Sequence, residues 1–225
     1  MMRLQHLKLI GIALFFVASG SWGQDLPPYV DKPNFKLGDY WVYNKLDGGN
    51  GKLIDVISEE LIKIDDNGYR LTGTEGFGTF VTTVFRNSNF NKTREEGNNK
   101  YLHLNRPYYP HFSFPLSKGK SWKQRVEMTW STASDVKIVF DGLESKVLGW
   151  EMVTVPAGTF WALKIESNGW NNGTSAEYQW AGKVTETRWF APYLRNVIRS
   201  EYLEKISGRT YKHEITELRT FGLTP

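Results

Sequence analysis

The chain has 225 residues, with 9 Trp, 11 Tyr, 13 Phe, 23% charged residues and no cysteine. This is the composition of a globular core, and it excludes a disulfide framework, a zinc–thiolate site and a thiol nucleophile. The net charge of +4 falls far short of the strongly basic face of a nucleic-acid binder.

Residues 1–23 read as a signal peptide. Arg3 and Lys8 precede the apolar run LIGIALFFVA at residues 9–18, too short to span a bilayer and of signal h-region length. Ser21 and Gly23 fit the −3 and −1 positions of a cut before Gln24, with a cut after Gly20 as the alternative. An uncleaved N-terminal anchor is the competing reading. No cysteine follows that would carry a lipid. Losing Arg3 and Lys8 takes the net charge from +4 to +2. Residues 24–225 contain no helical membrane span and no linker, and are expected to form a single β-rich domain, exported and either periplasmic or secreted.

The elements follow in order. A strand around Trp41 ends at Asp47-Gly48-Gly49-Asn50-Gly51, and the next starts at Leu53. Residues 54–64, IDVISEELIKI, have some amphipathic helical character. Their β-branched content and the Asp66-Asn67-Gly68 stop favour a strand. Gly97-Asn98-Asn99 marks a further turn. Trp122, Gln124, Val126, Met128 and Trp130 alternate with Lys123, Arg125, Glu127 and Thr129, the pattern of a half-buried antiparallel strand. Val136, Ile138 and Phe140 repeat it, as do Tyr178 and Trp180. Between them, VPAGTF at 155–160 predicts a tight hairpin, with Pro156 presetting φ and Gly158 free to adopt positive φ. Ser207-Gly208 closes a late hairpin. The spacing gives roughly ten strands, an all-β antiparallel and strongly curved sheet in the form of a barrel, half-barrel or sandwich. FKLGDYW at 35–41 also echoes FPLSKGKSW at 114–122, which is either a duplicated β unit or a chance recurrence of Gly before Trp.

Four segments together, GDYWVY at 38–43, FPLSKGKSW at 114–122, VTVPAGTFWALKIE at 153–166 and TRWFAPYLRNVIRSEY at 187–202, resemble a family of exported bacterial β-proteins of unknown function. That family is marked by a VPAGTF hairpin and a following W-[FY]-A-P segment. The resemblance implies an antiparallel, strongly curved sheet and brings no activity, substrate or catalytic residue. Its members commonly carry Gly after W-[FY]-A-P, where this chain has Tyr193-Leu194-Arg195-Asn196. Asn196 is the residue expected to take the left-handed conformation instead.

Catalytic signatures are absent: no G-x-S-x-G elbow, H-E-x-x-H, P-loop or G-x-G-x-x-G occurs. Gly76-Phe77-Gly78 is a fragment in a strand context. His103 and His111 flank LNRPYYP, and His213 precedes Glu214 on the opposite strand face, so no metal site and no cofactor are expected. The neighbouring acids Glu59-Glu60, Asp65-Asp66 and Glu95-Glu96 read as solvated turns rather than a glycosidase pair. Lys118, Lys120, Lys123 and Arg125 form either the wet face of a strand or an anion-attracting stripe.

The aromatic excess is the most informative feature. Trp122, Met128, Trp130, Phe140, Tyr178 and Trp180, with Val126, are expected to face inward, filling a core or lining a ligand cavity. Tyr108, Tyr109, His111, Phe112 and Phe114 form a separate aromatic loop, read as a lid or partner contact. The leading expectation is a non-catalytic periplasmic protein binding an apolar or amphipathic cell-envelope ligand. The alternatives are a structural or adaptor module of an envelope protein complex, a carbohydrate-binding module with exposed Trp platforms, and an enzyme of unfamiliar design.

Overall fold

Alternation of side chains at period two dictates the architecture. The computed structural model describes residues 26–98, 101–131 and 136–225. The signal segment, the cut before Gln24 and Asn99 lie outside these residues. The strands are β1 (Tyr29–Val30), β2 (Tyr40–Asp47), β3 (Leu53–Asp65), β4 (Gly68–Glu75), β5 (Phe80–Arg86), β6 (Lys92–Gly97) and β7 (Leu102–Arg106). They continue with β8 (Leu116–Ser117), β9 (Ser121–Ser131), β10 (Val136–Val155), β11 (Gly158–Thr174), β12 (Gln179–Ala191), β13 (Asn196–Ile206) and β14 (Arg209–Gly222). β2–β7 and β9–β14 form one closed antiparallel barrel of twelve strands, and β1 pairs with β8 in a separate ribbon. The barrel therefore has more strands than the rough ten that turn spacing predicts. The surplus lies in β5–β7, where FVTTVFR, KTREEG and LHLNR carry a polar inner face. Without an apolar stripe, period two is hard to see there.

The order of pairing reveals a twofold division. Each half contributes a short strand (β1 or β8) followed by six barrel strands, and each half's last strand closes on the other half's first, β14 on β2 and β7 on β9. The FKLGDYW and FPLSKGKSW segments occupy equivalent places. Gly38 and Gly119 take φ of 84° and 87°. The Gly38 amide donates to Leu61 O, and Leu61 N donates to Asp39 O, at 2.8 and 2.9 Å. Gly119 with Val147 O, and Val147 N with Lys120 O, repeat those distances. The echo is thus structural, one strand-entrance geometry used twice.

Residues 54–64 are strand, inside β3. VPAGTF forms the tight β10–β11 hairpin, with Val155 paired to Gly158 and Gly158 at φ 136°. At the W-F-A-P loop the expectation for Asn196 is corrected. Asn196 begins β13, and Arg195 takes the left-handed conformation at φ 59°, ψ 11°. The Arg195 side chain explains the choice. Its Nη1 donates to both carboxylate oxygens of Asp39 at 2.7 and 2.8 Å and to Thr224 O at 3.2 Å. Asp39 is fully buried, and a buried carboxylate needs such a partner.

The lumen is zoned along its axis. One end is apolar and filled, with Trp41, Leu61, Leu71, Phe90, Phe112 and Phe190 in one core cluster. The middle is charged. Arg86 Nη2 donates to Glu59 at 3.0 Å, and Arg188 donates to Glu186 and Ser167 at 2.9 and 2.8 Å. The far end is aromatic, where Val126, Met128, Phe140 and Val184 pack with Trp130 and Tyr202. The outer face carries Lys123, Arg125, Lys137, Asp141, Glu144 and Lys146, all exposed along β9 and β10. Leu148 and Met152 of β10 are exposed beyond them on the same strand.

Candidate functional site

After β7 the chain turns into the lumen. Tyr109 N donates to Lys92 O at 2.8 Å, and the Asn91 side chain brackets Phe112 by donating to its carbonyl and accepting from its amide, at 2.8 and 2.7 Å. The Tyr109 hydroxyl crosses to Glu186 Oε2 of β12 at 2.9 Å, and the Phe112 ring lies 5.0 Å from Phe190. Tyr109 and Phe112 are buried, and Phe114 stacks on Phe112 at 5.2 Å. The sequence presents residues 106–115 as a surface loop. The structure makes the segment an internal plug, with Tyr108 and His111 half-buried along it. The reason is chemical: its rings meet Phe140 and Phe190, while its backbone polar groups find Asn91 and Lys92.

Two cavities flank the plug, of about 630 and 240 Å³, and His111, Glu186 and Lys92 line both. Met128, Trp130, Phe140, Tyr178 and Trp180 line the larger. The five come together because β9, β10 and the β11–β12 turn meet at one rim. Met128 pairs with Ile138, Trp130 with Val136 and Trp180 with Gly173. Tyr178 and Trp180 face each other at 5.4 Å, with Tyr178 58% exposed at the mouth. Trp122 is not among them. It lies at the other end of β9, packs against the filled core and donates its indole N–H to Pro110 O at 3.1 Å.

The site also contains residues that sequence reading passes over. His103 and Asn105 project inward from β7 and line the large cavity. Tyr202 and Glu204 do so from β13, and the Glu204 carboxylate accepts from Asn171 at 2.7 Å and from Tyr202 at 3.3 Å. The signal was available in LHLNR and SEYLE, where His103 and Asn105, and Ser200, Tyr202 and Glu204, alternate at period two with polar groups where a core strand would alternate apolar. Of the neighbouring acids, Glu59 and Glu95 point inward to Arg86 and Lys92, whereas Glu60 faces out and Glu96 pairs with Arg94 at 3.2 Å. His213 contacts Glu201 at 2.8 Å, and Glu214 turns the other way to Lys45 at 3.2 Å.

Burial sets the protonation of the site. It pushes the His103 imidazole down to about 3, with the Lys92 ammonium adding to the effect. Burial, with Arg188, Arg86 and Lys92, holds His111 well below its ordinary range. The Tyr109 and Tyr202 phenols are raised by burial and by Glu186 and Glu204 respectively. Glu75, in the smaller cavity, is raised by burial and by the charge of Glu95. At neutral pH the aromatic end therefore presents neutral imidazoles and phenols. Arg86, Arg188 and Lys92 each have a carboxylate, while Glu75 and Glu204 line the cavities with no cation at ion-pair distance among the described residues. The histidines do not converge: His103 stacks on Trp130 at 4.7 Å, and His111 lies against Tyr109 at 4.9 Å.

No protein-family model and no curated protein sequence matches the chain. Among solved structures it is similar to a Bacteroides fragilis protein described as exported and of YmcC-like fold, with TM-score 0.55 and 16% identity. The match spans 86% of this chain and 99% of that one. A lipoprotein of Parabacteroides distasonis matches with TM-score 0.43 and 15% identity over 86% and 99% of the two chains. The hypothetical lipoprotein YmcC of Escherichia coli matches with TM-score 0.42 and 13% identity over 83% and 84%. The first of these likenesses is one of fold: this closed antiparallel barrel is similar to the YmcC-like fold of that protein.

Proposed function

We propose that this chain is a non-catalytic, exported cell-envelope protein whose barrel lumen holds an apolar or amphipathic ligand. The observation that carries the reading is the cavity of about 630 Å³ at the aromatic end, lined by Met128, Trp130, Phe140, Tyr178 and Trp180. Its size falls in the range of small-molecule pockets, and its wall divides about evenly between apolar or aromatic side chains and polar ones, Lys92, Glu186, Glu204, Lys212 and Glu214 among the latter. The signal-like residues 1–23 and the exported description of the Bacteroides fragilis neighbour support the location. Each lumen cation is held by a carboxylate, Arg86 by Glu59, Lys92 by Glu95 and Arg188 by Glu186, which favours holding a ligand over transforming it.

The test is fluorescence of N-phenyl-1-naphthylamine with delipidated protein, combined with native mass spectrometry of protein purified without detergent. Saturable enhancement that drops at least fivefold in Trp130→Ala or Trp180→Ala supports the reading, as does a non-covalent mass lost on denaturation. No enhancement and a bare mature mass would overturn it.

A further inference from the structure

The large cavity holds a group of polar atoms that no residue outside the group completes, the Asn105 amide and the His103 imidazole lying close enough to act only on each other. Both amide atoms of Asn105 and Nε2 of His103 are buried without a hydrogen-bond partner among the described residues. Asn105 is 3% exposed and His103 7%. The two stand at i and i+2 on β7, on one face, and both line the cavity. Orphaned buried polar atoms are rare and costly, so three side by side mark a place where something from outside the chain completes them.

The surroundings select the charge of that group. The nearest carboxylate to His103, Glu95, is 3.9 Å from Nδ1 and is engaged by Lys92. A cationic group at this spot would meet the Lys92 ammonium. An anionic one would share the cavity with Glu186 and Glu204. The imidazole is itself neutral at pH 7, because burial and Lys92 hold its pKa at about 3. Asn105 offers an NH2 donor group and a carbonyl acceptor, and a neutral imidazole Nε2 offers one donor or one acceptor. The apolar subsite is contiguous: the Trp130 ring stacks on His103 at 4.7 Å, with Met128 next to it on the inner face of β9.

We infer that the ligand presents an uncharged amide or hydroxyl group to His103 and Asn105 while its apolar body lies against Trp130, Met128 and Trp180. This rests on the lumen-binding reading above and adds the head-group class.

The experiment is displacement of N-phenyl-1-naphthylamine at pH 7 by four ligands of equal chain length: decanamide, 1-decanol, decanoate and decyltrimethylammonium. The amide and the alcohol are expected to displace the probe at concentrations about tenfold lower than the two ions. Asn105→Leu should shrink that gap to about threefold or less, with each ligand's displacement referred to the variant's own affinity for the probe. His103→Phe, which keeps the ring stacked on Trp130, should act in the same direction and carries the test if Asn105→Leu does not fold by circular dichroism. Equal or better displacement by decanoate or by the ammonium ion overturns the head-group inference. So does an unchanged preference in both variants, which would mean that water alone completes the polar atoms. Failure of the probe to bind at all would instead strike the lumen-binding reading itself, so the two failures are distinguishable.

Discussion

His103 shows how one buried side chain ties stability to pH. In the folded chain its ring stays neutral down to about pH 3, whereas an unfolded histidine takes up a proton near 6.5. The unfolded state therefore binds the proton first as pH falls. Stability from this residue is complete above about pH 6.5 and is lost progressively as pH drops from there toward 3. Between pH 7 and 4.5 the loss is about 2–3 kcal/mol. Urea unfolding at both values should show a smaller decline in His103→Phe than in the natural chain. An equal decline in both would mean that the ring is protonated in the folded protein.

Arg195 poses a second residue-scale question, because its backbone and its side chain pull in opposite directions. A non-glycine residue in the left-handed region costs about 1–2 kcal/mol. Removing one partner of a buried ion pair costs about 3–5 kcal/mol, and Asp39 is fully buried beneath the Arg195 guanidinium. The pair wins. Arg195→Gly relieves the backbone yet should destabilise the fold by about 2 kcal/mol net, read as a lower urea midpoint. A neutral or stabilised variant would show that the ion pair contributes little.

At the scale of elements, the repeated strand entrances make a paired prediction. Gly38 and Gly119 share φ near 85° and the same two hydrogen bonds to the neighbouring strand. An added Cβ at Gly119 meets nothing within 4 Å, and at Gly38 it meets the Thr224 hydroxyl at 3.2 Å. Gly119→Ala therefore reports backbone strain alone, about 1 kcal/mol. Gly38→Ala should cost as much or somewhat more, by thermal unfolding. Asn at either position should be tolerated better than Ala. A large disparity, with Gly119→Ala neutral, would argue against equivalent roles.

For the whole molecule, the twelve strands are not held equally. Among the described residues β6 pairs with β7 through Arg94, Glu95 and Glu96, with one further bond from Gly97 N to Tyr101 O, whereas β10 and β11 pair along most of their lengths of 20 and 17 residues. Local opening follows the weakest ladder. Amide exchange should be fastest across β6 and β7 and slowest across β10–β12, and a lumen ligand should slow β7 most, since β7 carries His103 and Asn105.

The amino-acid sequence by itself determined the strand class, the curvature and the VPAGTF hairpin. Period two and the chemistry of Pro and Gly act over a few residues and need no distant partner. It also determined which rings of β9, β10 and the β11–β12 turn share a face, because alternation fixes the face once the strand is known. Only the tertiary structure decided the rest. Closure into twelve strands depends on β14 meeting β2 and β7 meeting β9, across separations that leave no local mark. The inward course of residues 106–115 depends on Asn91 and Glu186, which sit on other elements. Arg195 rather than Asn196 turns left-handed because of Asp39, 156 residues away. His103 and Asn105 became a candidate site because the barrel closed around them and left their polar atoms without partners, a property that belongs to surroundings and not to spacing.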